Sequence, residues 1–281
     1  MHAPANGRFS NQAKNELRPF IPLLIGQGKL ARHLVYYLTS KSIPFQHWPE
    51  SRKLNHPDFK KLFPKWHAPS LKGSPTQMSV AWILVSDRAI AEVCAQIRKL
   101  DTDITLLHSS AATSVPGVLT LHPLQTFGPE LYSERAYEEI PFMLIEEEWQ
   151  SDLPLKISLK ETFPNPVFEI SNANRALYHA YCVMMANFPQ LLWSQVEKES
   201  ASTLPNPSKL FAPILKQTAA NFLHFGKDAV TGPIVRNDVA TLALHEKALA
   251  HSALLPLYQN FVKLFSTEPF SRKTFQEKEI P

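Results

Sequence analysis

Cysteine is nearly absent: Cys94 and Cys182 are the only two in 281 residues, which excludes a disulfide framework and a cysteine-built metal site. Long apolar runs are missing as well. No stretch reaches the roughly 20 residues of a bilayer span, and Met1 to Arg18 lacks the apolar core of a secretory signal, so the expectation is a cytoplasmic protein with no membrane partner and a loose polar tail over residues 1–18. Neither charge sign dominates, and a net charge of +4 is too small to imply nucleic acid as a partner. Glycine is scarce, with 8 against 24 prolines. Many turns are therefore set by proline, and each glycine marks a backbone position with a reason behind it.

Two of the glycines stand together in the stretch around which the chain is organised. Phe20-Ile21-Pro22-Leu23-Leu24-Ile25 reads as a strand, Gly26-Gln27-Gly28-Lys29-Leu30-Ala31 follows at once, and Leu30, Leu34, Val35 and Leu38 recur at helical spacing. This is the G-x-G-x-x-A form of the dinucleotide turn. The first glycine permits a tight exit from the strand. The second lets backbone N–H groups approach a pyrophosphate at a helix N-terminus, and Ala31 stands where a third glycine would let helix and strand pack closely. A P-loop is excluded, because Gly28-Lys29 would need a glycine at position 23 and a hydroxyl at position 30. Pro22 cannot donate to a ladder, which confines the expected pairing of this strand to its last few residues.

Further apolar runs follow at Ile43 to Trp48, Ser79 to Val85, Ile104 to Leu107, Val118 to Leu121, Phe142 to Ile145 and Val167 to Ile170. Helical patterns alternate with them, Asp87 capping the one whose stripe is Ile90, Val93, Ile97 and Leu100. The pattern predicts an α/β architecture, a Rossmann-like doubly wound parallel sheet over residues 19–170. From Asn172 to Val196 apolar residues recur at Ala173, Ala176, Leu177, Ala180, Tyr181, Met184, Phe188 and Leu191, the spacing of a long buried helix that Pro189 should kink. Three more helices complete an all-α domain over residues 171–281, read as a substrate wall and an oligomer contact.

Ligands of an open parallel sheet lie beyond the carboxyl ends of its strands. That rule selects Gly26, Gln27, Gly28, Lys29, Leu30 and Ala31 for the pyrophosphate, with Ser86 and Ser109 near a nicotinamide. After the second strand come Glu50, Ser51, Arg52 and Lys53; a hydroxyl and two cations suit a 2′-phosphate, so Ser51 and Arg52 favour NADP over NAD. Residues 49–78 read as a solvated irregular connection with a short helix around Asp58 to Phe63. A nucleic-acid contact through Lys60, Lys61, Lys65 and Lys72 is the less favoured reading. His122, fixed by Pro123 and flanked by Gln125 and Thr126, is the candidate acid/base for proton handling beside Ser109, whereas His108 reads as structural. Asn187 interrupts the apolar stripe and should either line a cleft or hold a buried partner, with His179 near it on the helical wheel. In Thr231-Gly232-Pro233-Ile234-Val235-Arg236-Asn237-Asp238 a turn leads into a capped helix, and Arg236 is either an anion clamp for substrate or the partner of a local acid.

Gly26-Gln27-Gly28, His108-Ser109-Ser110, Leu121-His122-Pro123-Leu124-Gln125-Thr126-Phe127 and the Thr231 to Asp238 segment together resemble a bacterial family that joins a Rossmann-like NADP-binding domain to a helical domain of unknown function. The resemblance spans about Pro19 to Phe265. It implies an NADP-dependent oxidoreductase acting on a small, anionic substrate, distantly related to pyrroline-5-carboxylate reductase, deazaflavin-dependent NADP reductases and the 6-phosphogluconate dehydrogenase superfamily. It also implies a homodimer made by the helical domain. His122-Pro123 is similar to the His-Pro of prephenate dehydrogenases, which implies that His122 meets the substrate. Ala31, Ala111-Ala112 and Asn237 each replace a glycine of the family pattern, and no lysine stands on the long helix where hydroxyacid dehydrogenases carry theirs. A catalytically inactive NADP-binding sensor is the alternative that these departures leave open.

Overall fold

The computed structural model describes residues 20–51, 53–59, 78–100 and 104–266. The expected tail, Arg52, and residues 60–77 of the basic segment, with Lys60, Lys61, Lys65 and Lys72 among them, lie outside the described residues. The chain divides into two compact units, one ending at Met185 and the other beginning at Ala186.

The first unit holds β1 (Phe20–Ile25), α1 (Lys29–Ser40), β2 (Gln46–Trp48), β3 (Met78–Ile83), α2 (Asp87–Leu100), β4 (Thr105–His108) and β5 (Leu119–Pro123), then α3 (Glu134–Glu138), β6 (Phe142–Ile145), α4 (Glu146–Gln150), α5 (Leu153–Thr162), β7 (Val167–Ile170) and α6 (Arg175–Cys182). The strands form one sheet in the order β2-β1-β3-β4-β5-β6-β7. Successive side chains of a strand go to opposite faces, and both faces are apolar. Phe20, Leu24, Val80, Trp82, Leu119 and Leu121 pack under α1, α3 and α5. Leu23, Ile25, Ala81, Ile83 and Leu106 pack under α2. Burial on both sides explains why these strands read as unbroken apolar runs rather than alternating ones.

Two expectations are corrected. Pro22 does not restrict β1 on the β3 side, where Phe20 to Ile25 pair throughout with Met78 to Ile83. The restriction applies toward β2, which pairs only with Leu23 to Ile25, so the proline sits where the ladder is one-sided. The sheet is also not wholly parallel, since β5 and β6 are antiparallel. A parallel return needs a crossover running the length of the sheet, and α3, at five residues, is too short for one. The chain instead folds back on the side it left, with the Leu124 N–H donating to the Pro141 carbonyl (2.8 Å).

Past the α2 stripe, the second face of the sheet turns polar. His108, Thr120 and His122 share it, by the alternation within β4 and β5 and the pairing of His108 with Thr120. Thr120 is tied on every side: its N–H donates to Glu148 Oε2 (2.7 Å), its carbonyl accepts from the Trp149 indole (2.7 Å), and its hydroxyl accepts from Arg175 Nη2 (3.1 Å). Arg175, buried at the start of α6, also bonds Glu148 and the Thr113 carbonyl.

The second unit contains α7 (Phe188–Ser200), α8 (Pro207–Phe225), a 3₁₀ turn (Gly226–Ala229), α9 (Val239–Ala248) and α10 (Leu255–Phe265). Asp238 caps α9 by accepting from the Thr241 N–H (3.0 Å) and hydroxyl (2.7 Å). Between α6 and α7 lies a π-helical turn, Val183–Asn187, directly ahead of Pro189, whose missing N–H cannot continue an α-helical ladder. Here the expected kink takes the form of a change in helical pitch. No helix among the described residues is long and apolar enough to cross a membrane.

Replacing Arg175 with Leu strands the Glu148 carboxylate, whose side chain is 18% exposed. A urea melt should show a loss of about 2–4 kcal/mol, below the full range for a buried pair because Glu148 keeps the Thr120 N–H.

Candidate functional site

The order of strands reverses between β1 and β3, and a cleft of about 1300 Å³ opens there at the carboxyl ends. Its floor is the turn after β1. Gly26 has φ +140°, and a Cβ built on it would lie 2.2 Å from the Leu84 carbonyl oxygen, so only glycine lets β1 and the end of β3 approach so closely. The turn is held from both sides: the Gly26 N–H donates to Trp48 O (3.0 Å), the Leu84 N–H to Ile25 O (2.8 Å), and His47 Nε2 donates to Gly26 O (2.8 Å). Gly28 is a different case. It is the N-cap of α1 in extended backbone (φ −68°), with no side-chain cap, and a Cβ there would meet nothing within 4 Å. Ala31 is fully buried against the core.

Gly26, Gln27, Gly28, Lys29 and Leu30 line the cleft, together with Ser51, Ser86 and Ser109. Its ionic lining is balanced, Lys29, Lys53 and Arg88 against Glu50, Asp87 and Glu92, with Lys53 paired to Glu50 (2.7 Å). Ser109 accepts from the buried Trp82 indole (2.8 Å), which leaves its own proton to donate. Among the described residues no cluster of His, Cys, Asp or Glu is fit to hold a metal ion.

His122, on β5, is half-buried, with Nδ1 2.8 Å from the Tyr178 hydroxyl of α6. Burial, with His179 nearby, lowers its pKa to about 4 against the opposing pull of Asp87. The shift favours the neutral ring at pH 7. His108 is buried, with Nδ1 accepting from the Ser110 N–H (3.2 Å), and burial and Arg175 lower its pKa to about 4. Burial raises the Tyr178 pKa, and the Cys182 thiol hydrogen-bonded to it adds to the rise.

Gln125 and Thr126 are exposed after β5, and the Gln125 side chain accepts from the Thr126 N–H (2.8 Å). The loop they begin is fastened to α1, where His33 bonds Gly128 O (3.0 Å) and the Tyr137 hydroxyl (2.7 Å) and Arg32 donates to Pro129 O (2.6 Å). His179 belongs to α6 of the first unit, while Asn187 and Arg236 belong to the second. Asn187 is exposed at the end of the π-helical turn, which is not the buried-partner alternative of the two that its place in the stripe left open. Arg236 is also exposed, in the turn before α9, close enough to Asp238 to help lower its pKa after the two Thr241 bonds.

The long helix corrects the sequence reading most. Its apolar stripe is not buried: Leu177, Tyr181 and Met184 are 51–56% exposed. The residues turned to the sheet are Arg175, bonded to Thr120, and Tyr178, bonded to His122, spaced i and i+3. Tyr178 and Arg175 were missed because a guanidinium and a phenol in an apolar-looking helix read as its solvent side. His47 was missed for want of any local signal.

Residues 141–264, from β6 into α10, match the family model described as "Domain of unknown function (DUF2520)". Three solved structures share the fold. The "putative NADP oxidoreductase BF3122" of Bacteroides fragilis is 19% identical, with TM-score 0.65 over 89% of this chain and 99% of that one. Protein TM1727 of Thermotoga maritima is 22% identical, with TM-score 0.61 over 89% and 98%. An imine reductase of Streptomyces aurantiacus is 13% identical, with TM-score 0.52 over 88% and 95%. At such identities the likeness is one of fold, here a Rossmann-like sheet followed by helices. No curated protein sequence matches the chain.

His108 and His122 both bind protons less readily folded than unfolded, where the ordinary value is 6.5. The unfolded chain therefore takes up more protons between pH 6.5 and 4, and stability is full above that window and falls on acidification through it. Urea midpoints at pH 7, 5.5 and 4.5 should show this fall, and it should be shallower in His122→Gln.

Proposed function

We propose that the chain is an oxidoreductase that binds a nicotinamide dinucleotide in the cleft at the β1/β3 reversal, NADP in preference to NAD, and acts on a small molecule. The observation that carries the reading is Gly28, where an uncapped helix N-terminus meets open space. Free N–H donors and the positive end of the helix dipole favour a diphosphate at such a place. Ser51 and Lys53, on the rim after β2, support a 2′-phosphate, and the name given to the Bacteroides fragilis protein agrees. When bound, the dinucleotide supplies or accepts the hydride. The chain's own share is to hold the diphosphate on α1, to offer the Ser109 hydroxyl at the end of β4, and to present a neutral imidazole at His122.

A homodimer is part of this proposal. In the second unit Leu242 is the only buried hydrophobic among the described residues, while Leu223 is 85% and Leu244 67% exposed. Together with the stripe on α6, this is more apolar surface than a lone chain normally shows to water. A second copy is the occupant proposed for these apolar surfaces. Sedimentation should give a dimer at micromolar concentration, and Leu177→Glu with Met184→Glu should release monomers.

The cleft is tested by fluorescence titration with NADPH and NADH. NADPH should bind more tightly. Gly28→Ala adds a methyl where backbone and space allow it, so thermal stability should stay within about 0.5 kcal/mol while NADPH affinity drops about tenfold or more, roughly 1.4 kcal/mol. Gly26→Ala should instead destabilise the fold with or without nucleotide. Failure of the unaltered protein to bind either nucleotide, or full affinity in Gly28→Ala, overturns the reading.

A further inference from the structure

We propose that Tyr178 is a positioning residue that locks His122 in the tautomer carrying its proton on Nε2, so that the ring presents a fixed N–H donor on the side away from the phenol. The registry comes from Arg175. Its bond to the Thr120 hydroxyl (3.1 Å) pins α6 over β5, and moving three residues along the helix and two along the strand brings Tyr178 over His122, with Nδ1 and hydroxyl 2.8 Å apart. The rings meet edge to face, 5.7 Å between centroids and 82° between planes.

The phenol has one proton and two neighbours, His122 Nδ1 and the Cys182 thiol. An imidazole nitrogen is a far better acceptor than a thiol sulfur, so the proton points to Nδ1. A neutral imidazole carries one N–H. With Nδ1 accepting, that N–H is Nε2. The groups bearing on the ring are Tyr178 and His179 from α6 and Asp87 from α2, and the burial already described keeps it neutral through the physiological range. His122 then acts by donating a hydrogen bond to a lone pair, not by surrendering a proton. This role rests on the oxidoreductase reading for the molecule it would face, but the tautomer does not.

The test is long-range proton–nitrogen NMR of the full chain labelled in its histidine rings, without nucleotide, with the His122 signals assigned by their loss in His122→Gln. The unaltered protein should show an unprotonated Nδ1 and a protonated Nε2, unchanged from pH 8 to 5.5. Tyr178→Phe should lower the ratio of Nε2–H to Nδ1–H tautomers about fivefold or more, the worth of one hydrogen bond. Cys182→Ala should leave the ratio as it was. A protonated Nδ1 in the unaltered protein, a ratio unmoved in Tyr178→Phe, or a tautomer flipped by Cys182→Ala overturns the proposal. A locked ring in a protein that binds no NADPH would uphold it and remove the oxidoreductase reading alone.

Discussion

Thr120 is the point at which the first unit is tied together. Its N–H, carbonyl and hydroxyl are each taken by a different partner, Glu148, Trp149 and Arg175, so one residue of β5 is joined to α4 twice and to α6 once. The buried guanidinium and the carboxylate it meets are costly to desolvate, and they persist because each also bonds to backbone. The gain is registry. With Arg175 seated on Thr120, the next turn of α6 has a single position over the strand, and His122 acquires its neighbour without any loop being involved.

The cleft is built by a different means. Where the order of strands reverses between β1 and β3 the sheet leaves a gap at its carboxyl edge, and the closeness of Gly26 to Leu84 draws the rims of that gap together. Its polar lining comes from strand ends, Ser86 after β3 and Ser109 after β4, which the rigid sheet places more firmly than loops of their length would be placed alone. Trp82 reaches from the core to bind the Ser109 hydroxyl, so that even the surface serine is oriented from within.

Much of this was legible in the sequence. The strand, glycine turn and helix over residues 20–40, and the strands at Phe142–Ile145 and Val167–Ile170, follow from apolar runs and their punctuation, signals carried by the residues themselves. The antiparallel step at β6 was not legible, because an apolar run carries no direction; only the shortness of α3 decides it. Which face of α6 meets the sheet was not legible for a related reason. Periodicity reports that a helix has two sides and leaves open which one meets the sheet, and here the side with arginine and tyrosine does, since β4 and β5 offer it histidine and threonine. The π-turn that ends at Asn187 is likewise something no 3.6-residue count foresees.

The two glycines of the turn also differ in what natural variation at each would mean. Position 26 is closed to any other residue by the carbonyl of Leu84, in a chain that binds a nucleotide and equally in one that has lost the ability. Position 28 has no such constraint from its neighbours. Retention of glycine at 26 across descendants of this chain would therefore report only that the sheet survives, and replacement at 28 would be the mark of a lineage that had given up its ligand.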